Sequence, residues 1–174
     1  MKKKTRTIRT VLYRRKREGR TDYKGRLSLL KSAKARVVVR KTLRSTMGQL
    51  VQYAPSGDIV VCTVTVKDLQ KVGWTYSGKN VSASYLLGLV LGKKALTKGI
   101  KEAVVDFGLQ VTVNGGRLYA FVKGCVDAGL YIPCSEEVFP TEDCLKGKNL
   151  EAYVQSAKGI ADSFLKIKEK LLSQ

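Results

Sequence analysis

Three β-rich segments, Arg36-Val37-Val38-Val39-Arg40, Met47-Gly48-Gln49-Leu50-Val51-Gln52-Tyr53 and Ile59-Val60-Val61-Cys62-Thr63-Val64-Thr65-Val66, follow one another across residues 36–66. β-Branched residues of this density favour strands, because the branched side chain packs well on a pleated surface. Lys41–Thr46 reads as a basic turn between the first two, and Pro55-Ser56-Gly57-Asp58 is a turn by composition. Strands joined by such short turns form an antiparallel meander. On the second strand Met47, Gln49, Val51 and Tyr53 share one face. The first turn gathers Arg40, Lys41, Arg44, Ser45 and Gln49 at one edge of the sheet.

Downstream the pattern changes period. Lys67–Val72 suits a short helix. Asn80 or Ser82 can then cap a long helical run through Ala83, Leu86, Leu87, Val90, Leu91 and Ala95. Gly88 and Gly92 on that run suggest close packing of the helix on the sheet. Ala103-Val104-Val105 reads as a buried strand, Leu118 to Leu130 as another helical face, and Tyr131-Ile132-Pro133 as a short strand. Alternating helix and strand calls for parallel strands with helical crossovers. The expected fold class is α/β: a three-layer mixed sheet of about five strands, an antiparallel three-strand meander followed by parallel strands. Three segments are expected: a basic arm over 1–20, an α/β domain over 21–155 and an amphipathic C-terminal helix over 156–174. Glu136–Thr141 and Asp143–Gly147 read as loops.

Upstream of the meander lies most of the charge. Residues 1–45 hold 18 of the 33 Lys and Arg but only Glu18 and Asp22 of the 14 acids, so about a quarter of the chain carries +16 of the net +19. Charge of one sign at this density repels itself and calls for an anionic partner or a folded scaffold. Arg14, Arg15, Arg17, Arg20, Arg26, Arg36, Arg40 and Arg44 place planar bidentate donors every few residues, suited to phosphate and base edges. Tyr13 and Tyr23 among them can stack on bases. Gly19 ends a helix-compatible stretch, and Thr21 or Asp22 can cap a following helix with Tyr23, Leu27 and Leu30 on one side. A nucleic acid is the favoured polyanion, and a sheet edge plus a basic arm suits folded RNA, which is read largely by shape.

Other chemistries fare worse. With no histidine, Ser-His-Asp and Cys-His nucleophiles are excluded. Cys62, Cys125, Cys134 and Cys144 form no CxxC pair and are expected as reduced thiols in or near a core. Gly88-Leu89-Val90-Leu91-Gly92-Lys93-Lys94 has the wrong glycine spacing for a phosphate loop. Asp106, with Asp127, Glu136 and Glu137, offers a metal-dependent nuclease as an alternative, but the meander supplies no converging carboxylates. A cationic protein–protein adaptor is the other alternative. No cofactor is expected, nor any membrane partner, and the absence of an apolar signal core points to the cytoplasm.

Three stretches together resemble one family. They are Tyr13-Arg14-Arg15-Lys16-Arg17-Glu18-Gly19-Arg20-Thr21-Asp22-Tyr23 with Arg26-Leu27, then Arg36-Val37-Val38-Val39-Arg40-Lys41, and finally Phe121–Leu130 running into Ile132-Pro133 and Ser135–Pro140. They are similar to the 5S-rRNA-binding family of the large ribosomal subunit, the universal family numbered eighteen in its archaeal form, over roughly residues 8–155. The resemblance implies a ribonuclease-H-like fold without catalysis. It implies as partners 5S rRNA, the large-subunit rRNA and neighbouring large-subunit proteins, and a place in the central protuberance. Carried across by position, the RNA-facing residues are Arg9, Tyr13, Arg14, Arg15, Lys16, Arg17, Arg20, Thr21, Tyr23 and Arg26. The hairpin adds Arg36, Arg40, Lys41, Thr42, Arg44, Ser45 and Gln49, and Lys79 and Asn80 follow ahead of the long helix. Cys134 stands where the family usually has histidine, and Gln110–Gly115 lacks its usual His-Pro.

Overall fold

The computed structural model describes residues 10–173. Near the N-terminus, α1 (Arg14–Arg17) is one cationic turn that buries nothing, and Gly19 at φ 64° ends it. The Asp22 carboxylate accepts the Lys24 amide at 3.0 Å and caps α2 (Tyr23–Leu30). The apolar stripe expected on α2 does not form a buried face: Leu27 is 57% exposed, and Leu29 and Leu30 are half-buried. Its neighbours hold α2 instead. The Tyr13 and Tyr23 rings lie 5.4 Å apart, and Arg26 pairs with Asp58 at 2.8 Å.

The meander forms as its β-branched runs require: β1 (Ala35–Lys41), β2 (Thr46–Gln52) and β3 (Ile59–Val64) are antiparallel neighbours. A register shift between Leu50 and Val51 marks a bulge in the β2–β3 pairing. After α3 (Val66–Val72), started by a Thr65–Asp68 capping box and ended at Gly73, comes the long α4 (Val81–Thr97). Asn80 Oδ1 accepts the Ala83 amide at 2.7 Å and caps it. Then β4 (Ala103–Asp106) joins β1 in parallel, giving the order β3-β2-β1-β4. A fifth strand at Tyr131–Pro133 is not made. Tyr131 contributes a single parallel bridge to Glu102, and the next residues leave the sheet for a 3-10 turn at Glu136–Val138. The mixed sheet therefore has four strands among the described residues.

Its core lies on one face. Val37, Val39, Leu50 and Val64 point from the sheet toward α4 and α5 (Arg117–Asp127), and all four are fully buried. Gly48 leaves room for the Phe121 ring, whose Cζ would lie 2.1 Å from an added Cβ. Gly88 and Gly92 do not serve helix-to-sheet packing. A Cβ at Gly88 would meet the Phe121 carbonyl oxygen at 2.0 Å, and one at Gly124 the Tyr85 oxygen at 2.1 Å. The glycines let two helix backbones touch.

The segments read as loops after Ser135 are partly helical. A 3-10 turn is followed by α6 (Glu142–Lys146) and α7 (Lys148–Tyr153). Acids open α6 and Lys146 closes it, as the helix dipole favours. Last comes α8 (Ile160–Ser173), whose Ile160, Phe164, Ile167 and Leu171 are buried, packing it against α4 and α6. There Phe164 lies 5.5 Å from Tyr85, whose hydroxyl donates to Asp127 at 2.7 Å. Burial, reinforced by that hydrogen bond, pushes the Tyr85 phenol far above its ordinary value. Of the four free cysteines, Cys125 is buried, Cys62 and Cys144 are half-buried and Cys134 is exposed. Among the described residues no helix is long and apolar enough to cross a membrane.

Candidate nucleic-acid interface

Strand alternation decides what the opposite face of the sheet carries. With Val37 and Val39 turned to the core, Arg36, Val38 and Arg40 of β1 must point the other way. Asp106 is the parallel partner of Val38, so its carboxylate falls between the two arginines. Arg36 Nη1 donates to Asp106 Oδ2 at 3.2 Å and Arg40 Nη2 to Asp106 Oδ1 at 3.5 Å. From the turn before β3, Asp58 completes the array. Its Oδ2 accepts from Arg36 Nη2 at 2.7 Å, and both its oxygens accept from Arg26 Nη2, at 2.9 and 2.8 Å. The order Arg26–Asp58–Arg36–Asp106–Arg40 alternates sign along the whole row.

Burial grades this row. Arg36 is 2% exposed, so its charge is held inside the protein by two carboxylates; its Nε has no hydrogen-bond partner. Expected among the RNA-facing residues, it instead joins the two acids beneath the surface. Arg26 and Arg40 stand at the ends of the row and remain about a third exposed, at 33% and 39%. Burial alone would raise the Asp58 carboxyl, but hydrogen bonds from Arg26 and Arg36 outweigh it and hold the group below the usual carboxylate range. Asp106 is not a vacant acid: besides the two arginines, its Oδ1 accepts the Gly108 amide at 2.8 Å. Among the described residues no three His, Cys, Asp or Glu converge to hold a metal ion.

Beside the row runs a groove of about 640 Å³, between the arm and the loop after β4. Arg15, Arg20, Arg26 and Arg40 line it, with Phe107 and Gln110 on the loop side. Four guanidinia against the carboxylates of Asp22 and Asp106 leave the concavity with an excess of positive charge.

The remaining expected residues fall into three groups. On the arm, Arg14 and Arg20 flank Glu18 at 3.6 and 3.2 Å while staying 76% and 68% exposed. Arg15 Nε donates to Thr21 Oγ1 at 2.8 Å, Tyr13, Lys16 and Arg17 are exposed, and Tyr23 is half-buried. In the hairpin, Thr42 and Ser45 are engaged with each other, Ser45 donating its amide to Thr42 Oγ1 at 3.0 Å. Lys41 donates to the Val111 carbonyl at 2.8 Å, Gln49 to Thr63 at 3.4 Å, and Arg44 is exposed. Ahead of α4, Lys79 is exposed, while the Asn80 side chain is occupied as the helix cap. Arg9 lies outside the described residues.

Sequence reasoning passed over Asp58 as a turn residue and considered Asp106 only as a metal ligand. The available signal was the pair Arg36 and Arg40, four apart on one strand face, which demands carboxylate partners once the face is partly covered.

Residues 9–102 match the family described as "Ribosomal large subunit proteins 60S L5, and 50S L18". The chain belongs to this family. A relative from Korarchaeum cryptofilum, "Large ribosomal subunit protein uL18", is 43% identical over 145 residues, covering 83% of this chain and 74% of the relative. The protein of that name from Methanosphaera stadtmanae is 41% identical over 146 residues, covering 84% of this chain and 76% of its own length. The family match includes the whole charged row except Asp106, and with it the arm from residue 9, the hairpin and α4.

Proposed function

We propose that this chain is a structural constituent of the large ribosomal subunit, working in the cytoplasm without catalysis. On this reading it binds 5S rRNA and helps attach it to the large-subunit rRNA in the central protuberance, beside neighbouring ribosomal proteins. Membership of the family supports the ribosomal assignment. The observation that carries the RNA reading is the groove with Arg15, Arg20, Arg26 and Arg40 around it, continued outward by the exposed Arg14, Lys16 and Arg17. The arm (1–20) and hairpin would deliver phosphate contacts, the body (21–155) would hold them in register, and the C-terminal segment (156–174) would brace α4. A meander followed by a parallel strand, with a bridge at Tyr131 beyond it, supports the ribonuclease-H-like reading. A nuclease on this fold is disfavoured because the Asp106 carboxylate is already engaged by Arg36, Arg40 and Gly108.

The test is binding of the purified chain to isolated 5S rRNA across a salt series. If on the order of 6–10 phosphates are contacted, affinity falls by about 10³–10⁵ between 50 and 200 mM salt. Arg14→Glu with Arg15→Glu, both on exposed residues, removes that binding while circular dichroism stays unchanged. Wild-type affinity in the double variant refutes the assignment of the arm.

A further inference from the structure

Two carboxylates in the middle of a cationic RNA-facing row are an electrostatic liability. A negative charge beside phosphates should weaken binding, and removing it should strengthen binding. The geometry points to the opposite: we propose that Asp58 and Asp106 are positioning residues, which fix the Arg26 and Arg40 guanidinia as preformed forks for RNA phosphate. This rests on the RNA-binding reading above.

Arg40 shows how the fixing works. A guanidinium has five N–H donors in a rigid plane. Both Nη1 protons are taken by carbonyls, the Asp106 oxygen at 2.8 Å and the Val39 oxygen at 2.9 Å. The inner Nη2 proton turns to Asp106 Oδ1 at 3.5 Å. What remains is the outer edge, Nε with the second Nη2 proton, which is the side-on pair that suits a bidentate phosphate. The plane is confined from beneath as well. Gly108, at φ 62°, sits so close that an added Cβ would lie 3.0 Å from Arg40 Nη2, and the Asp106 carboxylate holds the Gly108 amide in place. Two backbone carbonyls thus fix the Nη1 end of the guanidinium, and the Asp106 carboxylate adds the contact to Nη2 and holds the floor it rests on.

Asp58 does the same at the other end, with both oxygens on Arg26 Nη2. Buried Arg36 bridges the two acids, so the forks are fixed relative to each other as well as individually. Both open on the same groove. Free arginine side chains lose rotamer freedom on binding, and a fork already ordered avoids that loss.

The experiment measures affinity of the full chain for isolated 5S rRNA over a potassium chloride series, for Asp106→Asn, Asp58→Asn, Arg40→Ala, Arg26→Ala and the matching Asp–Arg double variants. Each Asn variant is expected to bind roughly tenfold more weakly, the scale of one charge-assisted contact. Its log–log salt slope should be shallower by about one. Adding Asp106→Asn to Arg40→Ala should change little more. A merely structural loss lowers the folded fraction, which unfolding measured at each salt concentration reads directly; once affinity is scaled by that fraction, a slope still shallower by about one marks the positioning role. Should Asp106→Asn fail to fold, the more exposed Asp58→Asn with Arg26→Ala decides the matter. Asn variants that bind equally or more tightly, while the Ala variants bind weakly, overturn the positioning role and leave the RNA reading standing. If wild type ignores 5S rRNA, the RNA reading itself has failed. If it binds but the Ala variants match it, these arginines do not meet RNA and the positioning role is overturned.

Discussion

Replacing Arg36 with methionine keeps much of the volume and the apolar stem while deleting a charge that is 2% exposed. Removing one partner of a buried ion pair generally costs about 3–5 kcal/mol, because the other charge is left in a poor solvent. Here the orphaned acids keep some support. Asp58 retains Arg26 and is 26% exposed, and Asp106 retains the Gly108 amide and the longer contact to Arg40. The low end of the range therefore applies, about 3 kcal/mol. For a chain of this length that lowers the melting temperature by roughly 6–12 °C. The assay is urea and thermal unfolding of Arg36→Met beside wild type at pH 7 and at falling pH. The sign of the pH effect follows from Asp58, whose carboxyl the two arginines hold low in the folded protein. Its stabilising contribution is present above the unfolded carboxylate value of about 4 and is lost as pH drops through the folded value. The variant keeps only the Arg26 share of this contribution, so wild type loses more stability in acid and the gap between them narrows below about pH 4. A loss under about 1 kcal/mol, the level of surface pairs, or a gap that does not close in acid, refutes the account of Arg36 as a buried link between two charged acids.

Two further outcomes follow from the packing and the caps. Gly124→Ala should gain about 0.5–1 kcal/mol of helix propensity, yet its Cβ would sit 2.1 Å from the Tyr85 carbonyl. The clash decides, and a net loss of roughly 1–3 kcal/mol is expected in chemical denaturation; a stabilised variant would show that α4 and α5 can separate cheaply. Asn80→Ala should cost about 1 kcal/mol as a lost helix cap while leaving 5S rRNA affinity intact, and weaker RNA binding at unchanged stability would return Asn80 to the interface.

What the sequence disclosed follows the strength of local signals. The valine runs at 37–39 and 60–61 and the Pro-Ser-Gly-Asp turn specify the meander without help from the rest of the chain, and β1, β2 and β3 lie where those signals put them. Asn80 and Asp22 both cap helices as their types suggest. Tyr131–Pro133 misleads because a short apolar run ending in proline can bridge a sheet without extending it. The use of Gly88 depends on a third glycine, Gly124, and that of Gly92 on Cys125 and Ala128, all far along the chain. Leu27 looks apolar-faced by spacing, but this helix of eight residues beside a charged row is held by one ion pair and a ring contact instead. At the candidate interface, the density of arginine pointed to this stretch of chain, but which arginines face outward was hidden. Arg36 and Arg40 are indistinguishable in sequence, and only the register of β4, which sets Asp106 between them, buries one and leaves the other at the rim.

The two ends of this molecule are fastened by different physics. From β1 to α8 the chain is joined through α4, whose first two-thirds are almost wholly buried, whereas α1 and α2 bury no residue and are held by the Arg26–Asp58 pair and a tyrosine contact. Dissolved ions weaken the second kind of fastening and barely touch the first. Raising ionic strength should therefore act on RNA affinity twice, once by competing for phosphates and once by weakening the ion pair that holds α2, so a measured salt exponent counts the protein's own rearrangement along with its released counterions.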